Sequence, residues 1–183
     1  MDLQDQQKLV TDAQQSADGF GKLYDFYFPK IYAFVVSKVG NKDDAEDLVS
    51  EIFMKVLANI GSFEWRGIPF TSWIFRIARN DLNTYYVHHA KKKTVDIDEV
   101  YGVSDDEEKT SPHKKAAKNE LAEKVKKVMS ELPEKEMTVV QLKFFGELNN
   151  REIVHVTGLS ESNVAVILYR TLRKIKPDLT YFA

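Results

Sequence analysis

Apolar residues recur at steps of three and four positions along almost the whole chain, and this spacing limits the possible folds more than any other feature. Between residues 20 and 35 it forms one stripe, whose members are Phe20, Leu23, Tyr24, Tyr27, Phe28, Ile31, Phe34 and Val35. Such spacing places every member on one face of an α-helix, which can then be buried. Because Pro29 lies inside the run, we expect a kink or a break there.

Two further helices are predicted in the N-terminal half. One opens near Asn41, where Asp43 and Glu46 have the spacing of a capping box. Its apolar stripe consists of Ala45, Leu48, Val49, Ile52, Phe53, Val56 and Leu57. Thr71 or Ser72 could cap the next helix, because hydroxyl side chains accept hydrogen bonds from free N–H groups at a helix start.

The pattern changes over residues 91–115, which are charged, contain Gly and Pro and have no apolar stripe. Such a segment is typical of a flexible linker. The sequence therefore predicts an all-α protein with two helical domains, one over residues 1–90 and one over residues 116–183, joined by that linker.

The C-terminal half carries the pattern of a helix-turn-helix. Asn149 with Glu152 begins a short helix, Gly158 ends it, and Ser160 caps a longer one. A short helix, a tight turn that contains Gly and a longer helix form the helix-turn-helix plan. An ordinary helical hairpin is the alternative, but the spacing and the caps favour the DNA-reading form.

Composition excludes several classes of protein. The chain has 183 residues, a net charge of −2 and no Cys, so disulfides and thiolate chemistry are excluded. The longest apolar run, 31–36, is too short to span a bilayer, and the polar first twenty residues show no secretory signal. We therefore expect a cytoplasmic protein that does not insert into membranes and is a monomer when free.

Catalytic patterns are not found either. The four histidines, His88, His89, His113 and His155, have no metal-ligand spacing, and the chain has neither a Gly-rich phosphate loop nor a nucleophile elbow. We therefore expect no enzyme, no catalytic residue, no cofactor and no metal site.

One stretch, "FEWRGIPFTSWIFRIARN" over residues 63–80, combines five aromatic rings with three arginines. Residues 66–93 carry six Lys or Arg against one acid, Asp81, although the whole chain is nearly neutral. Exposed rings can stack unpaired bases, at about 1–3 kcal/mol per base, while arginines attract phosphates. Phe63 and Trp73 fit better in a core, whereas we expect Phe75, Arg76 and the outward residues of the following turns at the surface.

The stretch "LPEKEMTVVQLKFFGELNNREIVHVTGLSESNVAVILYRTLRKIK" resembles the promoter-reading C-terminal domain of bacterial sigma factors. The stretches "DAEDLVSEIFMKVL" and "FTSWIFRIARN" look like the N-terminal domain of the extracytoplasmic-function (ECF) group. The resemblance covers roughly residues 15–90 and 125–178. It implies a factor that binds core RNA polymerase, recognises two promoter elements and helps to open the DNA.

For the minus-ten element, the resemblance and the chemistry of residues 63–80 both indicate the outward surface of the predicted helix and the loop that precedes it. The resemblance implies that this loop helps to hold a flipped base. An Asn there can hydrogen-bond a base edge that has left its duplex. Such a surface gains most affinity when the strands separate. The candidate residues are Trp65, Arg66, Phe70, Phe75, Arg76, Arg79, Asn80, Asn83 and Tyr86.

A charged stripe lies on the outward face of the second predicted helix. The residues alone favour a solvated face, whereas the resemblance implies docking on the polymerase clamp helices. The candidate polymerase-binding residues are Asp44, Asp47, Leu48, Glu51 and Lys55.

The resemblance also implies that the longer helix of the helix-turn-helix reads the minus-thirty-five duplex. The candidate residues are Lys143, Arg151, Ser160, Ser162, Asn163, Ala165, Tyr169, Arg170, Arg173 and Lys174. Family members usually carry basic or hydroxyl residues where this chain has Ala165, Val166 and Ile167. We therefore expect binding that is weak, or that depends unusually on shape and on contacts with thymine methyl groups. Alternatively, Val166 and Ile167 contact a protein partner such as an anti-sigma factor.

Two other functions fit parts of the pattern. One is a helix-turn-helix regulator that binds duplex DNA without polymerase, and the other is a helical module that binds polymerase or an anti-sigma factor without starting transcription. The expected partners of the sigma factor itself are core RNA polymerase, promoter DNA and an anti-sigma factor. In the free protein the two domains could pack on each other and hide both surfaces.

Overall fold

The structure is a computed structural model that describes residues 3–89, 125 and 127–175. Every regular element within these residues is helical, which confirms the predicted all-α class. The helices are α1 (Leu3–Gln15), α2 (Ala17–Val39), α3 (Lys42–Asn59), α4 (Phe70–His89), α5 (Glu134–Phe144), α6 (Asn150–Thr157) and α7 (Glu161–Ile175), with a 3₁₀ turn at Ile60–Ser62. The predicted linker over residues 91–115 lies outside the described residues.

Helix α2 runs unbroken through Pro29, so the helix break that was one of the two expected effects of this proline does not occur. Its apolar stripe packs into the core, with Leu23, Tyr27, Ile31 and Phe34 fully buried. Burial of this stripe explains why the helix continues: the apolar area removed from water on both sides of the proline outweighs one lost backbone hydrogen bond.

The start of α3 differs from the prediction. The side chain of Asn41 accepts hydrogen bonds from the backbone N–H groups of Asp43 (2.9 Å) and Asp44 (3.2 Å). Asn41 has the extended backbone of an N-cap, whereas Asp43 already lies in the first turn. The predicted capping box of Asp43 and Glu46 is therefore wrong, and Asp43 instead places a negative charge near the positive helix end.

The start of α4 is capped by a residue that is distant in sequence. Gln6 of α1 accepts a hydrogen bond from the backbone N–H of Phe70 (2.8 Å) and donates one to the hydroxyl of Thr71 (2.8 Å). Thr71 and Ser72 lie inside the first turn and are buried, so the prediction that one of them caps the helix is wrong. Helix α1, which the sequence analysis did not predict, thus fixes where α4 begins.

The N-terminal helices α1–α4 and the C-terminal helices α5–α7 pack against each other. Buried residues of both parts form one continuous apolar cluster. Gly146, between α5 and α6, lies against α4: a Cβ at this position would be 2.8 Å from Cε1 of Phe75. Polar contacts also cross the interface, because Gln141 donates to the carbonyl of Ser37 (2.6 Å) and Lys30 pairs with Glu147 (2.8 Å).

Candidate nucleic-acid and polymerase interfaces

Helix α4 carries most of the predicted minus-ten residues, and its two sides differ in burial. Helical spacing predicts an inward row of Ile74, Ile77, Ala78 and Leu82. Ile74, Ala78 and Leu82 are buried, which confirms the prediction for them, and Ile77 is half-buried. Arg76, Asn80 and Asn83 are exposed, and Arg79 and Tyr86 are half-buried. Of the predicted residues in the preceding loop, Arg66 is exposed and Trp65 is half-buried.

Two predicted minus-ten rings are not at the surface. Phe75 has an exposed fraction of 0%, so its predicted surface position is wrong. Its ring packs edge-on against Phe34, with 5.4 Å between ring centroids, and lies under Gly146 of the C-terminal part. Phe70 is also fully buried, with ring contacts to Tyr27 and to the half-buried Phe63. These two rings therefore stabilise the fold rather than offer a stacking surface.

Two arginines of α4 cap the carboxyl end of α6. Arg76 donates to the carbonyl of His155 (2.7 Å), and Arg79 donates to the carbonyl of Val156 (2.8 Å). The last carbonyls of a helix have no partner within that helix and carry its negative dipole end. The guanidinium groups therefore interact here with oxygen atoms of partial negative charge, as they would with phosphates.

A small pocket lies between the loop that precedes α4 and the helix itself. Its volume is about 320 Å³, and its lining includes Arg66, Ile68, Trp73 and Arg76. The Arg66 guanidinium pairs with Glu64 at 2.7 Å, but both groups are exposed, so the pair contributes little stability. The pocket thus combines an aromatic wall with two arginines, which suits an unpaired base and its phosphate.

A larger cavity, of about 450 Å³, lies between the N-terminal and C-terminal parts. Arg79, Asn83 and Tyr86 line it from α4, and Lys38 lines it from α2. The Tyr86 hydroxyl donates to the Lys38 carbonyl at 2.6 Å, and burial raises the pKa of Tyr86 to about 12. Sequence analysis did not single out Lys38, because a lone lysine near the end of an apolar helix resembles a solvated cap.

The five predicted polymerase-binding residues meet in one groove between α3 and α4. The groove has a volume of about 340 Å³ and is lined by Asp44, Asp47, Leu48, Glu51, Lys55, Asp81, Thr84, Tyr85 and His88. The ammonium of Lys55 pairs with Asp81 at 2.6 Å, and the hydroxyl of Tyr85 donates to Asp44 at 2.6 Å. Burial, together with that bond to Asp44, raises the pKa of Tyr85 to about 12. Contacts from α4 thus orient two of the five side chains.

Apolar side chains continue this surface along α3. Met54 is exposed, and Leu57, predicted in the core, is 50% exposed, so that prediction is wrong. The chain leaves the helix in the 3₁₀ turn, where Ile60 is buried and takes the core position instead. An acidic groove beside exposed apolar atoms can meet a partner that is both basic and apolar.

The helix-turn-helix has the predicted geometry. Asn149 and Glu152 form a reciprocal capping box at the start of α6, and Gly158 ends α6 in the left-handed conformation, with φ 77°. Ser160 then accepts a hydrogen bond from the backbone N–H of Asn163 at 3.2 Å. Glycine suits position 158 because a side chain at positive φ costs about 1–2 kcal/mol.

Helix α7 buries Val164, Leu168 and Thr171. Helical spacing in the sequence predicts an inner side of Val164, Leu168, Leu172 and Ile175. Leu172 is instead 36% exposed, because Thr171 completes the spacing of four and three residues that faces the core. Most of the predicted minus-thirty-five residues lie exposed on the outer side of the motif: Arg151, Ser160, Ser162, Asn163, Ala165, Tyr169, Arg170, Arg173 and Lys174. Lys143 is half-buried, and Val166 is exposed beside Ala165.

Each of the two helical parts matches a family of known proteins. The family Sigma-70 region 2 matches residues 23–92, and the family Sigma-70, region 4 matches residues 122–175. The two matches together cover more than half of the chain, in the order in which its two helical parts occur. The chain belongs to the sigma-70 family.

Curated relatives place this sigma factor in the ECF group. It is 31% identical over 175 residues to the ECF RNA polymerase sigma factor BldN of Streptomyces coelicolor, covering 93% of this chain and 66% of that protein. It is 29% identical over 155 residues to the ECF RNA polymerase sigma factor SigM of Bacillus subtilis, covering 85% of this chain and 91% of that protein. Its function is therefore to direct RNA polymerase to promoters, which is the work of a transcription factor rather than of an enzyme.

Solved structures share the fold. A structure of CnrH in complex with the cytosolic domain of CnrY is 20% identical, with a TM-score of 0.66, and covers 94% of this chain and 95% of that chain. The sigma factor RpoE of Bartonella quintana, in complex with the anti-sigma factor NepR, is 19% identical, with a TM-score of 0.61, and covers 90% of this chain and 98% of that chain.

Two features of the described residues bear on other functions. Within residues 3–89 and 125–175, apart from residue 126, no group of three His, Asp or Glu side chains is placed to hold a metal ion. None of the helices in this part of the sigma factor combines the length and the apolar character that crossing a membrane requires.

Proposed function

We propose that this sigma factor binds core RNA polymerase through the groove between α3 and α4. The support is that Asp44, Asp47, Leu48, Glu51 and Lys55 all line that groove. Exposed acidic groups at Asp47 and Glu51 would steer a basic partner, and the nearby Met54 and Leu57 would add apolar contact. Asp81 and Tyr85 act in this proposal as positioning residues, because they hold Lys55 and Asp44 in place.

The same factor would hold the minus-ten strand with Arg66, Arg76, Arg79, Asn80 and Asn83, together with Trp65 and Tyr86. One observation carries this proposal: Arg76 and Arg79 are bonded to carbonyl oxygens at the end of α6. In these bonds the two guanidinium groups contact oxygen atoms of partial negative charge, which supports a role for both in binding phosphates. The strand and α6 would compete for the same two side chains, so minus-ten binding requires α6 to leave α4.

The minus-thirty-five face needs no such movement, because the outer side of α7 is already exposed. We propose the domain division that the sequence predicts, with residues 1–90 and 116–183 acting on the two promoter elements and residues 91–115 joining them. A tether that lets both domains bind one promoter raises the effective concentration of the second contact.

The solved relatives suggest a further partner. RpoE was solved with an anti-sigma factor, and CnrH with the cytosolic domain of CnrY. We propose that an anti-sigma factor also binds this chain, that the free protein is a monomer, and that it acts in the cytoplasm, where bacterial polymerase and promoters are found.

The proposed function is tested by transcription with purified core polymerase. Transcripts that disappear when the gene is deleted define the promoter, and a run-off assay on that promoter should give a product only with both the chain and the core enzyme. Tight operator binding by the chain alone would support the regulator instead. Polymerase binding without any transcript would support the non-initiating interaction module.

The composition of α7 predicts a shallow salt dependence for duplex binding by the full chain. The slope of log K against log salt is about −0.9 per phosphate contact. Ala165 and Val166 lie in the middle of the exposed outer side of α7 and cannot contact phosphates, so we expect a slope between about −2 and −4. Arg170→Ala should make it shallower by about one, while Val166→Ala should leave it unchanged. A slope of about −6 or steeper for the natural chain would contradict this reading.

A further inference from the structure

The cavity between the two parts is lined by more positive than negative charge. Lys38 and Arg79 line it from the N-terminal part, and Lys135 lines it from α5. Glu134 is the acid in the lining. Its volume of about 450 Å³ lies in the range of small-molecule sites.

Lys38 has little to balance its charge. Its ammonium donates to the hydroxyl of Thr138 at 2.7 Å, which is a neutral partner. Burial lowers the pKa of Lys38 to about 8; Glu134 opposes this shift, and the like charge of Arg79 adds to it. Within the described ranges, Lys38 and Arg79 make no ion pair shorter than 4 Å with a carboxylate. A desolvated ammonium that is in direct contact with no anion is unfavourable, so a bound anion would stabilise this arrangement.

We propose that this cavity binds a small molecule that carries a phosphate or carboxylate group, with its oxyanion between Lys38 and Arg79. The guanidinium of Arg79 uses one of its N–H groups on the Val156 carbonyl and retains others for a bidentate contact. The ammonium of Lys38 has three donors, of which Thr138 takes one.

The other residues that line the cavity favour a ligand that has an apolar portion as well as a negative charge. Phe34, Leu82 and Leu159 supply apolar walls, so a ligand with an apolar or ring portion beside its oxyanion fits better than a bare ion. Asn83 and Thr157 add polar groups at the edge.

Such a ligand would touch both parts of the chain and therefore bind only while they are packed together. A ligand that binds one state stabilises it by RT ln(1 + [L]/Kd). It would keep Arg76 and Arg79 bonded to α6 and lower the fraction of the factor that is open to DNA. This regulatory consequence rests on the proposed minus-ten role of α4, whereas the binding itself does not.

The test measures binding to the full chain alone, without polymerase or DNA, so its failure would leave the proposed function untouched. Phenyl phosphate and benzoate, which carry the same ring beside two different oxyanions, are titrated by calorimetry against chloride at equal ionic strength and pH 7. We expect saturable binding of at least one of them, and the tighter probe identifies the preferred headgroup. Absence of saturable binding by both would overturn the proposal.

Variants locate the site. Lys38→Met keeps the apolar stem and removes the charge, and Thr138 keeps its own bond to the carbonyl of Glu134. We expect this variant to bind about tenfold more weakly or worse, because a charged hydrogen bond is lost. Lys22→Met, an exposed lysine of the same helix paired with Asp18, should bind as the natural chain does. Equal weakening in both variants, or none in Lys38→Met with its fold verified by circular dichroism, would overturn the proposal.

Discussion

Replacing Arg76 and Arg79 together by alanine is expected to slow promoter opening by the reconstituted holoenzyme about a hundredfold or more. Each guanidinium can make charge-assisted bonds to the separated strand, worth about 1.5–3 kcal/mol apiece. Two such losses amount to about 3–6 kcal/mol, and every 1.4 kcal/mol is a factor of about ten. The rate is measured from the appearance of permanganate-reactive thymines in the minus-ten region.

A matched control separates this effect from a general loss of positive charge. Lys8 and Lys22 are exposed lysines on α1 and α2, and neither takes part in the hydrogen bonds between α4 and α6. Replacing both by alanine removes the same charge and should leave the opening rate within about twofold. If the arginine and lysine variants open promoters at the same rate, the assignment of the minus-ten face is wrong.

In the free protein, the same double arginine variant should weaken the packing between the two helical parts and so favour the open arrangement. Without the two bonds to the α6 carbonyls, the packed arrangement loses polar contacts and opens more often. Small-angle scattering of the free chain would detect a larger radius of gyration than the packed protein has. The two assays thus distinguish the DNA contact from the contact between the two parts.

The sequence predicted most of the features that depend on local chemistry. The caps at Asn149 and Ser160 and the glycine at 158 all lie within a few residues of the groups they affect, and the structure confirms each of them. The inward row of Ile74, Ala78 and Leu82 follows from helical spacing alone and is also confirmed. These local signals succeed because their partners are near in the chain, whereas the capping box predicted at Asp43 and Glu46 failed because Asn41, two residues earlier, takes the cap position.

Features that depend on distant partners could not be predicted in this way. Gln6 caps a helix that begins 64 residues later, and no local pattern relates the two. Phe75 lies three residues before Ala78 and seven before Leu82, so helical spacing already places it on their side of α4, and its predicted surface position misread that spacing. What the spacing could not show is that Gly146 of the C-terminal part packs against its ring. Lys38 and Arg79 lie on α2 and α4, 41 residues apart in the chain, and line one cavity only because these helices pack together, so periodicity within either helix gave no reason to connect them.

The buried position of Phe75 predicts a large loss of stability on truncation. Phe75→Ala should lower the free energy of unfolding by about 3–5 kcal/mol, because it removes a fully buried ring and leaves a cavity beside Phe34. A ring at the surface, as first predicted from the sequence, would cost far less. The midpoint and slope of urea unfolding, followed by circular dichroism, measure the difference.

Phe144 provides a control of identical chemistry, because it is 51% exposed at the end of α5. Phe144→Ala should cost less than about 1 kcal/mol, since surface substitutions rarely cost more. Phe75→Leu should fall between the two alanine variants, because leucine fills part of the space under Gly146. Equal losses for Phe75→Ala and Phe144→Ala would mean that Phe75 is not buried in solution, either against Phe34 or under the C-terminal part. In that case the arginines of α4 would be free to bind DNA without any rearrangement.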